Sequence, residues 1–314
     1  MTQQKPKALT VEEFIKSATM FYIDTTLEKQ YADSVSASVN ELQTRLLGIA
    51  TSDGLKKYIG DDRESLDRIT SLLNISEEKF KRIITMLRIQ KRHMPTSEWS
   101  LSKVREQMVS SSAFMNEICD LLMKGATLDK YKSLIPAYYL ENFQIDASTL
   151  GRLASPDDIR RLVKKGLEGN YNNRIGDSFF KCASDAIIRG CEATGLTYAI
   201  KKNVPIVGKV VSVAIPDESN PKLLIDITYG ITTSSAQTRY AERAEAKAIK
   251  IRELNSKMPP KQHIGFVNVV DGAGWVARQS DLNKIERCSN YLLNLQTLGS
   301  IGDIINYYNG RNSQ

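Results

Sequence analysis

The stretch Lys209–Tyr229, Lys-Val-Val-Ser-Val-Ala-Ile-Pro-Asp-Glu-Ser-Asn-Pro-Lys-Leu-Leu-Ile-Asp-Ile-Thr-Tyr, constrains this chain more than any other. Two apolar, β-branched runs flank Pro-Asp-Glu-Ser-Asn-Pro, whose residues favour turns, so the pattern predicts a hairpin with a slightly long loop. Side chains alternate faces along the second strand, which puts Leu224, Asp226 and Thr228 on one side and Leu223, Ile225 and Ile227 on the other. An acid within so apolar a strand is unusual. A hairpin symmetric about its loop sets Ser212 opposite Asp226.

The elements expected around this hairpin are mixed. A helix over 178–194, closed by Gly195, precedes it, and a helix over 233–253 follows. The almost wholly apolar run His263-Ile-Gly-Phe-Val-Asn-Val-Val reads as a strand buried on both faces and ends in Asp-Gly-Ala-Gly-Trp275. A helix over 280–288, a strand over 291–295 and a helix over 301–308 complete the chain. The order predicts an α/β (α+β) fold, a mixed central sheet flanked by helices. Upstream the grammar is helical throughout, with helices expected over 10–29, 32–47, 63–73, 76–88, 101–109, 113–123 and 128–135. A short helix over 155–166 then runs into Gly169-Asn-Tyr-Asn-Asn-Arg174, which reads as a break and places the domain boundary there: a helical region 1–170 and a mixed domain 171–314.

Lys and Arg number 43 against 36 Asp and Glu, a net charge of +7, which favours an anionic partner such as nucleic acid. The helix beginning at Ser76 carries Lys79, Lys81, Arg82, Arg88, Lys91 and Arg92 and reads either as a phosphate-contacting surface or as a solvated face. Arg160, Arg161, Lys164 and Lys165 read as partners of a helix C-terminal dipole rather than as DNA contacts. Cys119, Cys182, Cys191 and Cys288 form no CxxC pair, and His93 and His263 are the two histidines, so reduced thiols and no structural metal are expected. No run is long enough to cross a bilayer and no charged start leads into an apolar stretch, so the expectation is a cytoplasmic protein without a membrane partner.

Three features of the C-terminal part resemble one family. The helix, hairpin, helix, strand order is one; the acid-bearing strand Leu-Leu-Ile-Asp226-Ile-Thr-Tyr with Pro216-Asp217 upstream is another; and Gly265-Phe-Val-Asn-Val-Val-Asp-Gly-Ala-Gly-Trp275-Val-Ala-Arg278 is the third. The run 177–308 resembles the PD-(D/E)XK nuclease superfamily and, within it, the type II restriction endonucleases. That resemblance implies Mg2+-dependent, sequence-specific hydrolysis of phosphodiester bonds in double-stranded DNA by a homodimer. It further implies a cognate DNA methyltransferase encoded nearby, with the helical region serving DNA recognition or dimerisation. Carboxylates that hold magnesium can activate a water and stabilise the leaving oxygen; Asp226 and Asp217 are the implied ligands, with Glu242 as a migrated third.

The chain also departs from the family pattern. Thr228 stands where the family has lysine, so the cation comes from elsewhere, with Lys247 and Lys209 as candidates, or is absent, and Ser212 faces Asp226 where an acid is expected. These departures motivate the alternative of a catalytically altered or inactive nuclease-fold DNA-binding subunit of a restriction or defence system. A third reading is a helical interaction protein whose mixed half is scaffold. Thr233, Ser234, Ser235, Gln237 and Arg239 at a helix start suit phosphate and base-edge contact, although capping explains the hydroxyls nearly as well. Asp271 and Arg278 read as DNA or structural contacts, and Trp275 as a residue that fills an apolar gap.

Overall fold

The computed structural model describes residues 5–90 and 97–310. Lys91, Arg92 and His93 lie outside the described residues. In chain order the helices of the first half are α1 (Val11–Ser17), α2 (Thr25–Leu47), α3 (Ser52–Asp61), α4 (Ser65–Leu72), α5 (Glu77–Gln90), α6 (Leu101–Ser110), α7 (Ser112–Lys124), α8 (Asp129–Lys132), α9 (Ala137–Leu140), α10 (Ala147–Ala154) and α11 (Pro156–Thr194). Three strands follow, β1 (Ala199–Val204), β2 (Lys209–Ile215) and β3 (Leu223–Tyr229). Then come α12 (Ser235–Asn255), β4 (Gly265–Asp271), α13 (Ala273–Ala277), α14 (Gln279–Cys288), β5 (Tyr291–Leu293) and α15 (Ile301–Gly310). The expected mixed α/β class is the observed one. No helix among the described residues is long and apolar enough to cross a membrane.

The chain divides into two compact units: Glu28–Tyr171, and the residues up to Leu27 together with those from Asn172 onward. The first 27 residues therefore belong with the sheet, whereas the sequence pattern groups them with the helical region. The helical unit has one core, in which Leu46, Ile49, Leu55, Ile59, Phe80 and Phe143 are almost wholly buried.

In the sheet unit the strand order is β1-β2-β3-β4-β5, with the neighbours β1–β2 and β2–β3 antiparallel and β3–β4 and β4–β5 parallel. Parallel neighbours need a crossover, and α12 and then α13–α14 provide it. One face packs Leu223, Ile225 and Ile227 against Phe179, Ala183 and Ile187 of α11 and Ile301, Ile304 and Ile305 of α15. The other face packs Leu224 and Phe266 against Ala244, Ala248 and Ile251 of α12. The alternation expected for β3 is thus observed, and it directs Asp226, in step with Leu224, toward α12. All seven residues of β4 are buried, as its apolar sequence requires.

Three local expectations fail for physical reasons. Gly169–Arg174 is helical, because α11 continues through it; Val163, Leu167, Tyr171, Ile175 and Phe179 recur every fourth residue across the polar stretch, and that apolar row offsets the low helix propensity of glycine and asparagine. The helix expected over 10–29 stops at Ser17, since residues 18–24 bond elsewhere: Ala273 donates its N–H to the Met20 carbonyl at 2.9 Å, and Tyr22 donates its N–H to the Tyr229 hydroxyl at 2.6 Å. Strand β1 is not foreseen because Ala-Ile-Lys-Lys-Asn-Val lacks alternation. It is an edge strand with exposed lysines, the usual protection of a sheet edge.

Candidate functional site

The register Val213↔Ile225, Ala214↔Leu224, Ile215↔Leu223 brings Ser212 opposite Asp226. There the two side chains take over from the main-chain ladder. The Ser212 N–H donates to Asp226 Oδ1 at 3.2 Å, and the Ile227 N–H donates to Ser212 Oγ at 3.0 Å. Ser212 therefore occupies the position expected of an acid and uses its hydroxyl to complete the sheet.

Above this pair lies the buried face of α12. Lys247 shares that face with Ala244, Ala248 and Ile251, and its Nζ sits 2.5 Å from Asp226 Oδ2, with the two residues 6 % and 4 % exposed. Burial this deep is tolerated for charges only when they are paired. Beside the pair, Tyr240 donates its hydroxyl to Asn268 Oδ1 at 2.9 Å, and Asn268 is the β4 residue in register with Asp226. Asn268 Nδ2 in turn donates to Ser289 Oγ at 2.8 Å. Burial, and after it the neighbouring Asp226 charge, holds the Tyr240 phenol well above its ordinary value. Ser212, Asp226 and Asn268 thus form a polar row across three strands, closed from above by Tyr240 and Lys247.

The other carboxylates assigned to magnesium do not join this row. Asp217 lies in the loop beyond β2, where its Oδ1 accepts the N–H groups of Ser219 and Asn220 at 2.8 Å each. Asp226 is three positions into β3 from that loop, roughly 10 Å of strand. Glu242 is on the exposed face of α12. Among the described residues no three His, Cys, Asp or Glu side chains gather to hold an ion. A hard cation needs several oxygen ligands, and here one carboxylate oxygen faces an ammonium and the other an N–H. Of the three carboxylates considered for a metal, Asp226 alone lies in this row. Thr228 is half-buried beside Val270; of the two lysines considered in its place, Lys247 reaches Asp226, while Lys209 stays exposed at the start of β2.

The connection from β3 to α12 is closely packed for a reason visible in Asp-Gly-Ala-Gly-Trp275. Gly272 has φ +108°, a Cβ there would lie 2.3 Å from the Gly230 carbonyl oxygen, and a Cβ on Gly274 would lie 2.4 Å from that of Thr232. The two glycines let this turn rest against residues 230–232. Gly272→Ala is expected to destabilise the protein by about 2 kcal/mol, from strain and overlap together; an unchanged urea midpoint would contradict this packing. Trp275 is 1 % exposed and packs edge-on to Tyr240, ring centroids 5.5 Å apart, so it fills the gap expected of it.

The DNA-contact candidates separate into two kinds. Ser234 caps α12, accepting the Ala236 N–H at 3.2 Å, while the buried Gln237 accepts the Ser234 N–H at 2.5 Å and donates to the Thr232 carbonyl at 2.9 Å. Arg278 donates to Asp281 Oδ2 at 2.8 Å and to the Thr238 hydroxyl at 2.6 Å. These three are engaged internally. Thr233, Ser235 and Arg239 are exposed.

Of the two roles read for Asp271, the structural one is observed: it is fully buried and accepts N–H groups from Thr19 and Gly272 on Oδ1 and from Leu295 on Oδ2. An acid ending an almost wholly apolar strand was the available signal. Compared with protein-family models and with curated proteins, the chain matches none.

Proposed function

We propose that this chain is a DNA-binding protein built on a restriction-endonuclease-like sheet unit, in which a buried Asp226–Lys247 ion pair stands where the resembled enzymes hold a metal, and that it serves as a binding subunit of a restriction or defence system. The observation that carries the reading is the identity of the partner of Asp226: an ammonium at 2.5 Å, with Ser212 rather than a second acid across the hairpin. Supporting the nuclease-like frame are a hairpin, a crossover helix and two parallel strands in that order. Supporting DNA as partner are the net charge of +7 and the exposed Thr233, Ser235 and Arg239.

A second reading has one observation in its favour. Lys247 places a cation beside the strand acid, the pairing that the acid-x-Lys motif makes from a single strand. On that reading the chain is a Mg2+-dependent type II endonuclease working as a homodimer, with host DNA protected by a methyltransferase encoded nearby. Incubation of the purified protein with long duplex DNA in magnesium decides between the two. Retention in a gel without cleavage is the expected result; discrete fragments that disappear when EDTA removes the metal would establish the second reading instead. Failure to retain duplex DNA at low salt would sink both.

A further inference from the structure

The helical unit contains a cleft of about 540 Å3 between the first turns of α2 that belong to it and the segment 160–171 of α11. One wall is Arg160, Arg161, Lys164 and Lys165, which successive helical turns place on one side of α11. Across from it stand Tyr31 and Val35, with Tyr171 at the end. The usual reason for such a run is absent. Bases in a last turn answer the helix dipole, but α11 runs on to Thr194, so these four lie far from its C-terminus.

Their charge is also largely uncompensated. Arg161 pairs with Asp158 at 3.1 Å on an exposed surface, a weak interaction, whereas Arg160, Lys164 and Lys165 make no ion pair among the described residues. Two acids share the lining with these four bases: Glu28 accepts a hydrogen bond from the Tyr171 hydroxyl, and Glu168 makes no ion pair among the described residues, so the wall keeps an excess of positive charge. The aromatic rings are held in place: Tyr31 donates to Asn170 Oδ1 at 2.7 Å and meets Tyr171 edge-on with centroids 5.0 Å apart.

Helix α5 is the contrasting case. There Lys81 pairs with Glu77 at 3.0 Å, Lys79 lies 4.6 Å from the Tyr139 ring, and Arg88 stacks 3.4 Å from the Trp99 ring while donating to the Ser97 carbonyl. These bases of α5 are engaged in the fold, whereas Arg160, Lys164 and Lys165 of the cleft make no ion pair among the described residues.

We infer that this cleft is a phosphodiester-binding site, in which Arg160, Lys164 and Lys165 contact successive phosphates of a DNA strand and Tyr31 and Tyr171 receive its sugar or base. A concave basic wall facing fixed aromatic rings suits a backbone that presents charge on one side and flat rings on the other. The inference rests on the DNA-binding reading above and names where in the helical unit the strand is held.

The test compares three proteins by fluorescence anisotropy with a labelled duplex and with its single strand, over a salt series. Wild type is set against Lys164→Ala/Lys165→Ala and against Lys130→Ala/Lys132→Ala. The last removes the same charge from exposed lysines already paired with Asp120 and Asp129. The cleft variant is expected to bind about tenfold more weakly, with the slope of log K against log salt reduced by about 2, while the control keeps the wild-type slope. The probe that loses more, duplex or single strand, identifies the form held. Equal losses in the two variants, or an unchanged slope in the cleft variant while wild type binds, would overturn the inference and leave the DNA-binding reading standing. Absence of binding by wild type would remove that reading first.

Discussion

Asp226→Ala lowers the stability of the sheet unit by about 3–5 kcal/mol, because it leaves the Lys247 ammonium buried without its counter-charge. Asp226 and Lys247 are 4 % and 6 % exposed, so water does not take over the lost contact, and the substitution also removes the acceptor for the Ser212 N–H. Replacing both partners by apolar residues of similar size, Asp226→Leu with Lys247→Met, removes the charges together and is expected to return stability to within about 1 kcal/mol of wild type or above it. Urea midpoints of the two single variants and the double variant form the cycle that isolates the pair. Such non-additivity is what a structural ion pair requires. Single variants with wild-type midpoints would show that the pair does not hold the sheet unit together, and the reading of Asp226 as structural would fail. The double variant also separates folding from chemistry: any magnesium-dependent cleavage lost in a fully folded double variant would point back to an active site.

Where local chemistry decided the outcome, the fold was legible in the sequence. The turn residues between 215 and 222 and the alternation of β3 located the hairpin and the orientation of Asp226, because strand periodicity is short-ranged. The source of the cation missing at Thr228 was narrowed to Lys247 or Lys209 but not chosen between them, and an ion pair with Asp226 was not foreseen, since it depends on how α12 crosses the sheet and which of its faces is alanine-rich enough to lie close. Three things were not legible, because local composition was overridden, twice by the continuation of α11 and once by distant contacts. Gly169–Arg174 has the composition of a loop yet lies within α11. Residues 18–24 continue an apolar pattern yet are held out of the helix by Asp271, Ala273 and Tyr229. Composition also misleads at Arg160–Lys165, where the meaning of the bases changes once the helix is seen to continue.

Asp271→Ala is expected to be the other large loss, on the order of 4 kcal/mol, because three N–H groups, of the buried Gly272 and the half-buried Thr19 and Leu295, lose their acceptor at once. Each orphaned donor costs about 1–3 kcal/mol, and the sum is less than additive because the segments can relax together. The bonds from Thr19 at 2.8 Å, Gly272 at 2.9 Å and Leu295 at 2.9 Å tie the segment after α1 and the segment after β5 to the end of β4. Amide hydrogen exchange should therefore accelerate at Thr19 and Leu295 before the rest of the sheet. Asp271→Asn grades the effect, since its oxygen can still accept from Thr19 and Gly272 while its NH2 faces the Leu295 N–H; about half the loss is expected, concentrated at Leu295. A pH series gives an independent check. Burial raises the Asp271 carboxyl above its ordinary value despite the N–H groups that lower it, so between the unfolded and folded values the native state binds more protons. Its stability then falls as pH rises through that window. Asp271→Asn removes this component of the slope, and a slope of the opposite sign in the wild-type minus Asn difference would contradict the assignment.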